Sequence, residues 1–427
     1  MPPDPWARSS RAHNGNVPED IRQTVDAVWR MEAAKIIATL TRWVGDLGMA
    51  EDLASDALVD ALTQWPQSGV PRNAGAWLTT VAKRKAVDQW RRQENLDAKY
   101  AALARELDDH VDQAWDPDHI DDDVLRLIFT AAHPVLSREA QIALTLRVVA
   151  GLTTDEIARA FLIPKATAAA RITRAKKALA GCAFEVPERD EFRARLSAVL
   201  GVLYLIYNEG YSASFGSRWI RDELCSEAIR LARVLAALVP AEPEVHGLLA
   251  LMEFQSSRFA ARTDADGNAI LLEDQDRTRW DRAQIRRATV ALQRAEDARA
   301  GRGWGPYGLQ AALAECHAVA PTSADTDWSR IVTIYGALLQ ISPSPVIELN
   351  RAVAVAMAQG PATGLRIADG ITGLQDSYLL PSVRGELLAR LNRHAEAAAA
   401  FHAAAELVGN DRERDVLLRK AARYSRD

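Results

Sequence analysis

Three short runs of charged residues could do chemistry in this chain, and each suits the binding of a charged partner better than bond making or breaking. In GLTTDEIARAFLIP, Thr153 and Glu156 stand at the spacing of a capping box, a hydroxyl and a carboxylate that satisfy free amides at a helix start. Pro164 then restarts the chain in KATAAARITRAKKAL, which presents Lys165, Arg171, Arg174, Lys176 and Lys177 with no acidic residue among them. The pair reads as a helix-turn-helix whose second, cationic helix suits a major groove flanked by phosphates; the plainer reading is a solvated basic face. In AEDLASDALVDAL, Asp52, Asp56 and Asp60 recur every four residues and line one face of a helix. Like charges at that spacing repel, so the row serves either solubility or a basic partner surface. In AWLTTVAKRKAVDQWRR, Lys83, Arg84, Lys85, Arg91 and Arg92 share a helix with Trp77 and Trp90. Cations beside aromatic rings suit single-stranded DNA, although Trp77 reads better as a core residue. No Gly-rich phosphate loop, HExxH or supported nucleophile motif occurs, and Cys182, Cys225 and Cys316 lack the paired spacing of a zinc site. A non-enzymatic binding protein without metal or cofactor is expected.

Positioning these runs calls for helices. The chain is rich in Ala, Leu, Arg, Asp and Glu and poor in Phe and Tyr, which predicts an all-α protein, and 427 residues are enough for about three domains. Net charge is only -5, so any DNA contact rests on local basic patches. Helical periodicity from Ile21 through Trp29, Ile36, Leu40 and Val44 is followed by a second helix with Leu53, Ala57, Ala61 and Trp65 inward. Glu51 and Asp52 are expected in that helix's first turn, where the helix dipole favours anions. A loop from Pro66 to Gly75 precedes the helix of Lys83 to Arg92, completing a domain over 17–95. Residues 96–123 are Asp-rich and read as an acidic linker, 124–185 as the helix-turn-helix domain, and 187–427 as helix after helix. In that last part Gly385, Ala397, Phe401 and Ala404 have tetratricopeptide spacing, with weaker copies near Ala228 and Ala232 and from Asn350 to Ile367. No run approaches a membrane span and no leader is evident, so a soluble cytoplasmic protein making no membrane contact is expected.

In this order the three runs resemble the extracytoplasmic-function sigma factors over roughly the first 185 residues. The resemblance implies a region-two domain, a winged-less region-four helix-turn-helix domain, and core RNA polymerase and promoter DNA as partners. It implies that Glu51, Asp52 and Asp56 meet the clamp helices of the largest polymerase subunit. Asn73, Lys83, Arg84, Asp88, Arg91 and Arg92 would recognise and melt the minus-ten element. Lys165, Thr167, Arg171 and Arg174, beside Lys176 and Lys177, would read the minus-thirty-five element. The acidic stretch resembles the family's tether. Ser55 stands where Gln is common, Arg84 where Asn is frequent and Leu162 where Gly is, while Ala168, Ala169 and Ala170 replace polar DNA-facing side chains.

The remainder resembles a tetratricopeptide-like extension carried by a subgroup of these factors, through YNEGYSAS, RDELCSEAIRL, GPYGLQAA and PSPVIELNRAVA. Tyr207, Asn208, Glu209, Tyr211 and Asn350 could line a groove for a peptide, protein or small-molecule regulator; the plainer reading is that Asn208, Glu209 and Asn350 satisfy buried helix ends and bends. The resemblance implies control in cis. A ligand-responsive helix-turn-helix regulator that binds duplex DNA without polymerase is the alternative, and it would not need the acidic helix.

Overall fold

A computed structural model describes residues 19–92, 117–161, 163–212, 219–264, 270, 272–408 and 411–425. Its described elements are helices, as the composition predicts, and they form two compact units, Met1–Leu238 and Val239–Asp427. None of the described helices is long and apolar enough to cross a membrane.

In the first unit, α1 (Glu19–Val44), α2 (Leu47–Ser68) and α3 (Ala74–Arg92) bury Val25, Ile36, Leu40, Leu58, Trp65 and Leu78 between them. The helix of the acidic row starts earlier than its apolar stripe implies. Asp46 caps it by accepting from the Met49 amide at 2.7 Å, so Glu51 and Asp52 lie past the first turn and Asp46 is the anion at the dipole end. Pro66 falls in its last turn, and the chain leaves the helix at Gly69, whose φ of 79° suits glycine.

α4 (Pro117–Ala131) begins inside the stretch expected to be linker. Asp123 ends that acidic run fully buried, 3.1 Å from Arg42 and 2.7 Å from Arg126, so the last linker residues belong to packed structure. Residues 93–116, the rest of that stretch, lie outside the described residues. α5 (Arg138–Val148), α6 (Thr154–Ala160) and α7 (Lys165–Ala178) follow.

α8 (Arg189–Ser212) and α9 (Trp219–Leu238) pack as a pair against α4 and α5. Phe192 meets Phe129 at 5.4 Å between ring centroids, and an Arg195 guanidinium N–H donates to the Phe129 carbonyl at 3.1 Å. Val199, Leu203 and Leu235 close the seam over Ile128 and Val149. The first unit therefore runs to Leu238 and not to about 185, because the apolar stripe of α8 is buried on the helix-turn-helix domain. Of the five residues expected to share a groove, four stand on α8 in this unit and Asn350 in the other. Tyr207 is fully buried, stacked on Tyr211 at 5.7 Å, with its carbonyl accepting from the Cys225 thiol; Asn208 and Glu209 are half-buried. Tyr207 is a core residue here.

The second unit contains α10 (Pro243–Ser256), α11 (Arg282–Arg299), α12 (Pro306–Val319), α13 (Trp328–Ile341), α14 (Pro345–Gln359), α15 (Pro361–Asp369), α16 (Leu379–Arg390), α17 (His394–Leu407) and α18 (Asp411–Tyr424). Pro243, Pro306, Pro345 and Pro361 each open a helix, where a missing N–H costs nothing. Small side chains let neighbours approach closely. A Cβ on Gly385 would lie 2.8 Å from the Phe401 ring, and Ala397, Phe401 and Ala404 are fully buried, the interlock that their spacing predicts. Gly247 meets Gly308 backbone in the same way, where a Cβ would lie 2.7 Å from the amide nitrogen.

Candidate nucleic-acid interface

The helix-turn-helix starts on the predicted capping box. The Glu156 amide donates to Thr153 Oγ1 at 3.2 Å while Glu156 Oε2 accepts from the Thr153 amide at 2.7 Å. Pro164 then stands at the N-cap of α7. On α7, Ala168, Ile172 and Ala175 face the core, leaving Thr167, Ala170, Arg174 and Lys177 on the exposed side and Arg171 half-buried. Lys165 is exposed and pairs with Asp155 at 2.7 Å. Burial of Ala168 corrects one expectation: alanine there is a packing residue and does not stand in for a base-reading side chain.

On α3, Arg84 and Asp88 are exposed, Lys85 pairs with Asp60 at 2.9 Å, and Lys83 is half-buried. Burial, and then the nearby Arg42 charge, hold the Lys83 ammonium below its usual pKa. Asn73 caps this helix, accepting from the Ala76 amide at 3.0 Å, so its side-chain oxygen already has a donor. Trp77 packs edge-on to Trp65 at 5.4 Å, as its core assignment expects, and the side chains of Trp90, Arg91 and Arg92 lie outside the described residues.

The acidic row divides. Asp56 is exposed, Asp60 is held by Lys85, and Asp52 lies 3.2 Å from Lys176 on α7. Glu51 does not stand in solvent beside them; it is 4 % exposed. Its Oε1 accepts from the Arg147 guanidinium at 2.9 and 2.5 Å and from Ser55 Oγ at 3.0 Å, and its Oε2 from Lys176. Arg147, 8 % exposed on α5, also donates to the Leu152 carbonyl at 3.1 Å. Desolvation pushes the Glu51 carboxyl up, but Arg147 and Lys176 outweigh it and bring its pKa down from 4.5 to about 2. The seam has two further clasps, Trp29 Nε1 donating to the Gly151 carbonyl at 3.1 Å and Arg30 paired with Glu156 at 2.6 Å.

The motifs do not point to Arg147, Ser55, Trp29 or Arg30. The signal for Arg147 is its setting: a lone guanidinium inside ALTLRVVAG must find a buried acid. Gly151 carries the seam's tightest geometry, with φ 73° and a would-be Cβ only 3.2 Å from Ala33 Cβ. Gly151→Ala is expected to destabilise the first unit by about 1–2 kcal/mol from backbone conformation alone, plus the clash, read as a lower urea midpoint with unchanged slope. An unchanged midpoint would show that the seam is loose.

No group of three or more His, Cys, Asp or Glu among the described residues is arranged to hold a metal. Residues 29–95 match the family Sigma-70 region 2, residues 126–179 match Sigma-70, region 4, and residues 195–296 match a family of unknown function, DUF6596. The chain is also similar to an uncharacterized protein of Rhizobium meliloti (strain 1021), 43% identical over 384 residues that cover 88% of this chain and 90% of that one.

Proposed function

Because the chain belongs to the extracytoplasmic-function sigma factors, with regions two and four followed by a C-terminal helical extension, we propose that it directs initiation through a division of labour among α2, α3 and α7. Sigma regions two and four serve transcription initiation by engaging core RNA polymerase and promoter DNA. The acidic face of α2, through Glu51, Asp52 and Asp56, meets a basic surface of core polymerase. Asn73, Lys83, Arg84, Asp88, Arg91 and Arg92 grip and help unpair the minus-ten element, whose flipped bases need cations and apolar surface together. Thr167, Arg171 and Arg174 read the minus-thirty-five element, with Lys165 and Lys177 on flanking phosphates.

The observation that supports this best is the face of α7, where a buried apolar side and a solvent side bearing Thr167, Arg174 and Lys177 share one helix behind a complete capping box. Control in cis completes the proposal. Glu51 and Asp52 are neutralised by Arg147 and Lys176, so polymerase and the α5–α7 helices compete for the same carboxylates. α8 and α9, the first helices of the extension, brace the helices that do the competing.

Run-off transcription with purified core polymerase tests the proposal. The intact chain is expected to support promoter-dependent initiation. Lys165→Ala with Lys177→Ala should make the logarithm of DNA affinity fall about two units less steeply with log salt, one for each phosphate no longer neutralised, and Arg171→Ala with Arg174→Ala should reduce initiation by about tenfold or more. Initiation unaffected by the pair, or a chain that never associates with core polymerase, defeats the reading.

A further inference from the structure

In the second unit, α11 carries positive charge in a pattern that its own stability does not explain. From Arg282 to Arg294 it holds four arginines, Arg282, Arg286, Arg287 and Arg294, and no acidic residue, in a chain whose net charge is -5. Ile285, Ala288, Ala291, Leu292 and Ala295 are buried where the helix packs on α10 and α12, which leaves the opposite side to solvent. All four arginines are exposed, with Thr289, Val290 and Gln293 exposed between them.

Helix energetics would place these charges elsewhere. Arg282 opens the first turn, where the dipole favours anions, and Arg286 follows it four residues on, where like charges repel. Arg299 shows the stable arrangement, a cation in the last turn paired with Glu296. Acids close to the run in sequence are engaged in other ways. Asp276 accepts from the Thr278 amide and hydroxyl, Asp281 caps α11 by accepting from the Ala283 and Gln284 amides at 2.8 and 2.9 Å, and Asp297 accepts from Gln293 at 3.0 Å. Two of the arginines have protein partners: Arg287 comes within 3.7 Å of the buried Glu253, and Arg282 donates to the Arg277 carbonyl at 3.4 Å. Arg286 and Arg294 have no ion-pair or hydrogen-bond partner among the described residues. They stand about 12 Å apart along the helix axis, far enough to meet separate anionic groups.

From this arrangement we propose that α11 is a further nucleic-acid contact, whose arginine face grips the phosphate backbone of duplex DNA without reading its sequence. Charge complementarity selects a polyanion, and the planar fork of arginine suits phosphate oxygens. Duplex DNA presents one negative charge per about 1.7 Å of axis, so a cationic helix face of this length meets several phosphates at once. It is also the partner that sigma regions two and four engage, and the choice of DNA over another polyanion rests on that reading. The extension then adds salt-sensitive, sequence-independent affinity to a chain whose specificity lies in its first unit.

A photo-cross-linker inside the face decides it. Val290 is 53 % exposed and lies one turn from both Arg286 and Arg294. Full-length protein with p-benzoylphenylalanine in place of Val290 should cross-link to a labelled duplex of arbitrary sequence in the absence of polymerase, with a yield that falls steeply as salt rises. The same group in place of Val319, 51 % exposed on α12, is the control and should give at least about fivefold less. Arg286→Gln with Arg294→Gln should cut the yield from position 290 by about fivefold or more, the worth of two exposed ion pairs, with the melting temperature unchanged. Arg286→Lys with Arg294→Lys should keep most of it, because a phosphate also accepts a point charge. No DNA cross-link from position 290, an equal yield from position 319, or a yield indifferent to salt or to the two glutamines overturns the inference. So does a polymerase–promoter complex in which position 290 cross-links to polymerase subunits alone, since the face would then serve an acidic protein surface. With polymerase absent and the duplex arbitrary, a failed cross-link and failed run-off transcription are separate results.

Discussion

Replacing Arg147 with methionine is expected to move stability and polymerase affinity in opposite directions. Arg147 provides two guanidinium contacts to Glu51, and both groups are more than nine-tenths buried. Removing one partner of such a pair leaves a charge stranded in a poor solvent, which costs about 3–5 kcal/mol, so the first unit should melt at markedly lower urea. The stranded carboxylate is also one that the proposed docking face presents to polymerase. With Arg147 gone, only Lys176 and Ser55 hold it inward, and the fraction of chains with Glu51 available rises. Apparent affinity scales with that fraction, so core binding should tighten by up to about a hundredfold if some 3 kcal/mol of closing energy is removed.

Glu51→Gln should weaken both stability and docking. Glu51→Leu combined with Arg147→Met should restore stability, because an apolar pair of similar volume often replaces a buried ion pair without loss, while docking stays weak. The pair's contribution has a defined pH window. A carboxyl lowered to about 2 contributes fully above its unfolded value of 4.5 and loses that contribution as pH falls from there towards 2, so acid unfolding of the wild type should carry a component that Glu51→Gln lacks. Core affinity that falls together with stability in Arg147→Met would mean that the pair is structural only.

Much of this architecture is readable from residue order. The capping box at Thr153 and Glu156, the break at Pro164, and the small-residue spacing of Gly385, Ala397 and Phe401 are local patterns, and local patterns determine local structure. What escapes depends on contacts distant in sequence. Nothing near Glu51 announces a partner 96 residues away, and an Asp and a Glu side by side on a helix look alike until the packing side is known. The acidic linker fails at its end for the same reason: Asp123 continues an acidic run by composition but faces Arg42 and Arg126 in the core. The boundary near 187 falls just before α8, but a change from one motif to the next does not reveal that α8 must bury its stripe on the preceding domain. Tyr207 misleads because an aromatic in a polar motif reads as ligand-facing, whereas this one packs under Cys225.

A chain ending near Glu188 is expected to lose much of its region-four stability, whereas one ending after Leu238 should keep it. The shorter chain lacks α8 and α9, which cover Ile128, Phe129 and Val149, now 4 %, 0 % and 2 % exposed. Returning two or three such side chains to water costs about 3–9 kcal/mol at about 1.5–3 kcal/mol each, a sum comparable with the whole stability of a small domain. The uncovered strip should also drive self-association, visible as an earlier elution volume that depends on concentration. Thermal melts and size-exclusion profiles of the two truncations decide the matter, and a Glu188 chain that is monodisperse and melts like the longer one would show that α8 and α9 contribute nothing to region four. The difference bears on how regulation is tested. Loss of initiation in the shorter chain would report a damaged fold, so only the cut after Leu238, which removes the second compact unit and spares the first, reads what that unit does to promoter use. The competing helices α5–α7 and their braces α8 and α9 all lie in the first unit, so the cis proposal expects that cut to leave the restraint on Glu51 and the melt of the first unit where they were, and any change in initiation measures a separate effect of the second unit.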